Sequence, residues 1–294
     1  MALSQGITYM HEHVTIDLSG VKNTDDTRLD CFDETVLEFQ KLYAKGVRNM
    51  VDVTVVGMRP NPLYVLEVAK QSGINIIQAT GFYTQRFFPP FVETDSIDQL
   101  ATFMVQEIQV GIAGTEVRAG IIGEIGASKD GFTPDEQKVF EAAALAHRET
   151  GVPITTHATL GTFAYEQAVF FTERGVDTSK VLIGHVDLSG DADYALRVLE
   201  QGVYVGFDTV GKENYLPDID RVRMLQCIEQ AGHIDRVVLS MDITRQSNME
   251  HMGGIGYSYL LDRFVPLMRE HGIREASIEQ MLVTNPRRFF GEII

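Results

Sequence analysis

Apolar positions along the chain switch repeatedly between a strand-like run and a helical stripe, each pair closed by a turn residue. After a short run, Ile7-Thr8-Tyr9-Met10, a helix is predicted over 33–44, with Val36, Phe39, Leu42 and Tyr43 on one stripe and a stop at Gly46. A strand follows over 47–56. Asn61-Pro62 supplies a cap and a first-turn proline, Gly73 closes that helix, and 74–79 is again a short apolar strand. The same unit recurs as helix 96–110 with strand 119–125. It continues as helix 133–151 with strand 153–156, helix 165–174 with strand 181–183, and helix 192–200 with strand 203–207. Helix 218–230 with strand 237–241 and a final helix over 257–270 complete it. Thr133-Pro134-Asp135-Glu136 has the form of a capping box. An aromatic segment over 80–90 interrupts the series and is either a pocket wall or a packed surface loop.

About eight strand–helix repeats are the number that closes a parallel (β/α)8 TIM barrel, in which chemistry sits at the C-terminal ends of the strands. An open doubly wound sheet usually places its ligand beside a Gly-rich turn, and no G-x-G-x-x-G occurs here. With 294 residues and 44% hydrophobic side chains the chain can bury one large core, and no low-complexity or linker-like stretch divides it. A single domain over 1–294 is expected.

Charge narrows the choice of partner. The formal net charge is −16, a poor surface for a phosphate backbone, so a small-molecule substrate is expected and nucleic acid is not. Cys31 and Cys227 have no redox or metal-binding spacing, and no signal-like or membrane-length apolar segment appears. These features predict a cytoplasmic protein without membrane contact. The assembly considered beside a monomer is a homodimer.

The candidate chemistry shares one address. His11 and His13, Glu124, His157, His185 and Asp242 all fall at or just beyond the C-terminal end of a predicted strand. In an extended segment His11 and His13 share a face while Glu12 turns away. Taken singly, each has an ordinary explanation, a helix cap or a satisfied histidine. Together they are too many for a single catalytic zinc and suit two borderline divalent ions, zinc or manganese, bridged by one carboxylate. A hydroxide bridging two such ions is a nucleophile at neutral pH, and a strand-end aspartate, here Asp242, can ligate one ion and accept the proton of the attacking water.

The segments GITYMHEH, VRAGIIGEIG, GVPITTHA, VLIGHVDL, LSMDITR and LVTNPRRFF, in this order, resemble the phosphotriesterase family of the amidohydrolase superfamily over essentially the whole chain. That resemblance implies a barrel with a binuclear centre, usually zinc. It assigns His11 and His13 to the more buried ion, His157 and His185 to the more exposed ion, and Asp242 to the last-strand ligand and proton acceptor. The best-known members carry a carboxylated lysine as the bridge. Glu124 departs from this pattern, lying one residue beyond the lysine position, and resembles a branch that uses glutamate. Because an offset of one turns a strand side chain to the other face, a local bulge is expected, with Gly123 permitting it.

Two more departures bear on substrate. Organophosphate-hydrolysing members pass protons outward through a histidine and an acidic residue, whereas the matching positions here are Thr209 and Leu188. Triester hydrolysis is thus disfavoured, and a lactone or carboxylic ester is expected. Lys212 and Arg245 follow the strand-seven and strand-eight ends and are candidates to bind an anionic substrate tail, such as a carboxylate or the phosphate of a sugar lactone. The alternatives are a TatD-like metal nuclease, which also uses an H-x-H strand and a GEIG-like segment, and a non-catalytic metal-stabilised barrel.

Overall fold

The computed structural model describes residues 3–129 and 131–291; the ends of the expected single domain, 1–2 and 292–294, and residue 130 lie outside the described residues. Eight strands form one parallel sheet in chain order: β1 (Ile7–Glu12), β2 (Val47–Asp52), β3 (Asn75–Thr80), β4 (Ile121–Ala127), β5 (Ile154–Ala158), β6 (Val181–Gly184), β7 (Tyr204–Phe207) and β8 (Val237–Leu239). Between them run α1 (Phe32–Ala44), α2 (Pro62–Ser72), α3 (Ile97–Gln109), α4 (Pro134–Thr150), α5 (Ala164–Glu173), α6 (Ala192–Leu199) and α7 (Asp218–Gln230), with α8 (Val265–Glu270) after the last strand. This is the expected (β/α)8 barrel.

The helices start and stop where their backbone ends find partners. Asn61 accepts from the Tyr64 amide, and Ser96 and Thr133 each form a reciprocal box with the residue three on. Gly73 and Gly151 end α2 and α4 in the left-handed conformation. Inner faces such as Phe39, Leu42, Val65, Val68, Leu100, Met104, Val139 and Phe140 are buried against the strands.

Three elements differ from the sequence expectation. β2 and β8 stop at Asp52 and Leu239, short of the predicted ends at 56 and 241. The predicted helix over 257–270 is a wide π-type turn, Leu260–Phe264, running into α8. A second such turn, Gln280–Thr284, lies in a terminal helical segment that the apolar pattern did not reveal. Both wide turns immediately precede a first-turn proline, Pro266 or Pro286. Proline lacks an N–H and crowds the carbonyl four residues earlier, and widening the turn relieves that contact.

The seam between β1 and β8 is closed without a regular ladder. The His11 amide donates to Ser240 Oγ (3.0 Å) and the Asp242 amide to the His11 carbonyl (3.3 Å). Glu12, pointing away from the barrel mouth as expected, accepts from Ser240 Oγ (2.8 Å), the Met241 amide (2.7 Å) and the Ile243 amide (3.1 Å). One buried carboxylate therefore fixes the backbone on both sides of Asp242.

Candidate metal centre and active site

Five of the six sequence-predicted ligands lie at or just beyond the C-terminal end of a strand, whereas Glu124 lies within β4, which runs on to Ala127 rather than ending at 125; the side chains of all six converge. Glu124 sits in the middle. Its Oε1 is 3.4 Å from His13 Nε2, and its Oε2 is 3.5 Å from His11 Nε2, 3.1 Å from His157 Nδ1 and 3.6 Å from His185 Nε2. Asp242 Oδ1 stands 3.8 Å from His11 Nε2 and 3.4 Å from His13 Nε2. Ligand atoms of His11, His13 and Asp242, and separately of His11, Glu124 and His185, all fall within 4.8 Å of one another.

Glu124 reaches the cluster through the expected irregularity. Between β4 and β5, Ile122 pairs with Ile154 and Ile125 with Thr156, so three steps on one strand oppose two on the other. Gly123 has φ of 106°, and a Cβ there would lie 1.9 Å from the Thr155 carbonyl oxygen, so glycine is required on both counts. The Gly123–Glu124 peptide bond is cis.

Neighbours orient the imidazoles. His185 Nδ1 meets Asp208 Oδ1 at 2.7 Å, which leaves Nε2 facing Glu124. His13 Nδ1 meets Thr54 Oγ1 at 2.9 Å, and Thr54 donates to Asp52 Oδ1 at 2.7 Å, leaving His13 Nε2 inward. Such outer partners fix which nitrogen is available to a metal. Asp208, one residue beyond β7, carries no signal of this role in the sequence. Tyr83, from the aromatic segment after β3, was also missed: its hydroxyl is 3.3 Å from both His157 ring nitrogens, and it lines the cavity. The aromatic segment is thus a pocket wall.

The donor set fits divalent metal. Buried His11 makes no hydrogen bond through either ring nitrogen; Nδ1 stands 3.4 Å from Asp208 Oδ2, which leaves the unpartnered Nε2 facing the cluster as the nitrogen for an ion. Burial lowers the His11 and His157 rings below the ordinary histidine value, favouring the neutral, ligating form. Burial would raise Glu124, but the four surrounding histidines hold it well below the usual carboxylate range. Asp242 is likewise held low despite burial, with the Lys212 ammonium the largest opposing influence.

The two cation candidates have partners. Lys212 Nζ contacts Asp242 Oδ2, so it belongs to the edge of the ligand cluster. Arg245, 42% exposed, reaches Asp26 Oδ2 at 3.2 Å. Both line a cavity of about 310 Å³ over the cluster, together with Lys22, Arg86, Leu160, Leu188, Thr209 and Tyr215.

A parallel eight-stranded barrel with imidazoles and carboxylates gathered at its C-terminal mouth defines the class of metal-dependent barrel hydrolases. Comparison with known proteins makes this specific: the chain belongs to the phosphotriesterase family, whose profile matches residues 2–290. It is 47% identical over 285 residues to the phosphotriesterase homology protein of Escherichia coli (strain K12), covering 97% of this chain and 98% of that one. A crystal structure of that Escherichia coli protein, complexed with phosphate in its active site, matches with a TM-score of 0.96 at 46% identity, covering 97% of this chain and 99% of that one. An aryldialkylphosphatase of Saccharolobus solfataricus is 30% identical over 302 residues, covering 97% and 95%. A lactonase from Listeria monocytogenes matches with a TM-score of 0.93 at 28% identity, covering 99% and 96%. The chain is accordingly a metal-dependent hydrolase of ester bonds. No helix among the described residues is long and apolar enough to cross a membrane.

Proposed function

We propose that the protein hydrolyses a lactone or related carboxylic ester carrying an anionic group, at a centre of two divalent ions, zinc or manganese. His11, His13, Glu124, His157, His185 and Asp242 would hold them. The observation that carries this reading is Glu124, whose two oxygens face imidazoles on opposite sides of one cluster. When bound, the ions polarise the ester carbonyl and make water a nucleophile near neutral pH.

The chain's own residues supply the rest. Asp242 turns Oδ1 toward His13 and Oδ2 toward Lys212, so it is ionised and placed to take a proton. The Tyr83 hydroxyl, beside His157 on the cavity wall, can donate to a substrate oxygen. Thr209 and Leu188 line the cavity where triester-hydrolysing members carry a proton path, and neither side chain titrates, which supports a carboxylic ester over a phosphotriester. Lys212 and Arg245 bring positive charge to the mouth of an acidic protein, supporting an anionic substrate; the phosphate in the Escherichia coli relative's active site supports the same class.

The test is turnover by metal-loaded protein on matched lactones, esters and an aryl dialkyl phosphotriester, with metal content measured in parallel. Lactone turnover exceeding triester turnover is expected, with two ions per chain. Asp242→Asn should keep the fold but lose about a hundredfold or more in kcat, because an amide cannot accept the proton. A fully active preparation with one ion per chain, or a triester preferred to every lactone, would refute the reading.

A further inference from the structure

The cavity mouth holds four cations, and they are not equivalent. Lys212 is paired with Asp242 and Arg245 with Asp26. Lys22 and Arg86 also line the cavity, yet among the described residues neither makes an ion pair with a carboxylate. The two are interlocked. Arg86, from the loop after β3, donates to the Val21 carbonyl at 2.8 Å, directly beside Lys22 in sequence. Lys22, from the loop after β1, has its ammonium 6.0 Å from the centre of the Phe87 ring, directly beside Arg86. Two loops thus bring an ammonium and a guanidinium to one spot. Both side chains are exposed at the cavity mouth, and partial desolvation of the ammonium, followed by repulsion from Arg245, Arg86 and Lys212, pulls Lys22 below the ordinary lysine value, a repulsion that a bound anion would relieve.

The geometry points to a phosphomonoester subsite formed by Lys22 and Arg86, separate from the metal ligands, that holds the dianionic end of the substrate; this rests on the hydrolase reading above. A dianionic tetrahedral group can accept from a point-like ammonium and a planar guanidinium at once, with an oxygen left for Arg245, whereas a carboxylate would be served by either cation alone. Leu160, Leu188 and Tyr215 line the same cavity, so it offers apolar contact to the uncharged remainder of the substrate. Sequence reading missed this pair because Lys22 lies within 16–29, a segment of the first βα loop with no chemical signature, and Arg86 lies inside an aromatic run.

Titration calorimetry on metal-loaded wild type, Lys22→Met, Lys22→Arg and Arg86→Met tests the subsite without needing turnover, using ribose 5-phosphate and, as neutral control, ribose. Wild type should bind the phosphate far more tightly than ribose. Lys22→Met and Arg86→Met should each weaken ribose 5-phosphate about tenfold or more while leaving ribose binding and metal content unchanged. Lys22→Arg should retain most of the affinity. Equal affinity of wild type and both methionine variants for ribose 5-phosphate would place the phosphoryl group on the metals or elsewhere and overturn the proposal, as would equal binding of ribose and its phosphate by wild type. The hydrolase reading fails separately, if ribose 5-phosphate binds as described but no lactone or ester, charged or neutral, is turned over.

Discussion

Arg221 is fully buried, and its removal should be among the most damaging single changes away from the ligand cluster. Its Nε donates to Asp187 Oδ2 at 2.7 Å, while its terminal nitrogens reach Asp218 Oδ1 at 3.0 Å, Thr209 Oγ1 at 2.8 Å and the Leu216 carbonyl. One side chain of α7 therefore ties down the loops after β6 and β7, which carry His185 and Lys212. In Arg221→Met the stem is kept and the charge lost. Asp187, completely buried and with Oδ1 already unpaired, would retain only the Thr209 hydroxyl. Removing one partner of a buried pair costs about 3–5 kcal/mol, because the remaining charge is uncompensated. At roughly 2 °C per kcal/mol for a chain of this size, melting should fall by about 6–10 °C. Guanidinium unfolding and thermal melting of metal-loaded protein are the assays. Adding Asp187→Asn to Arg221→Met removes the stranded charge and should recover at least about 1 kcal/mol, a coupling that a double-mutant cycle isolates. A loss below about 1 kcal/mol in the single variant, or a double variant no more stable than the single, would refute the argument that Asp187 is what the arginine compensates.

Glu12→Gln keeps one acceptor oxygen but sets its NH2 against the backbone donor of either Met241 or Ile243, so about 1–3 kcal/mol of stability should be lost; because these amides flank Asp242, metal should also dialyse out faster, and unchanged stability would show the seam is closed by other contacts. Glu124→Ala removes the only carboxylate among the described residues that faces all four imidazoles, so metal content should fall from two ions to one or none by elemental analysis; two retained ions would exclude a bridge. Burial raises the Glu107 carboxyl above its ordinary value, against bonds from Thr80 (2.6 Å) and the Ala113 amide (3.2 Å). Between the ordinary and the raised value the folded chain holds a proton that the unfolded chain has released, so stability falls as pH rises through that window. Glu107→Gln removes this dependence, and the difference in unfolding free energy should move in the variant's favour as pH rises from the ordinary to the raised glutamate value; a pH-independent difference would mean Glu107 does not titrate in the fold.

Local order fixed much of this protein in advance. The alternation of apolar strands with amphipathic helices, the caps at Asn61 and Thr133, and the stop at Gly73 all act over a few residues, so they could be read from neighbours in sequence. The strand-end address of the histidines and carboxylates was legible for the same reason, since the barrel repeat itself sends every strand end to one face. Tertiary structure alone decided which of these groups touch. Glu124 comes to the centre only because β4 gains a residue against β5, and His185 is aimed by Asp208 across two strands. Lys212 and Arg245 looked equivalent in the sequence, yet one pairs with Asp242 and the other with Asp26, while Lys22 and Arg86, 64 positions apart, share one side of the cavity without a carboxylate partner among the described residues. Electrostatic partnership depends on distances set by loop paths and barrel closure, and no periodicity along the chain encodes those distances.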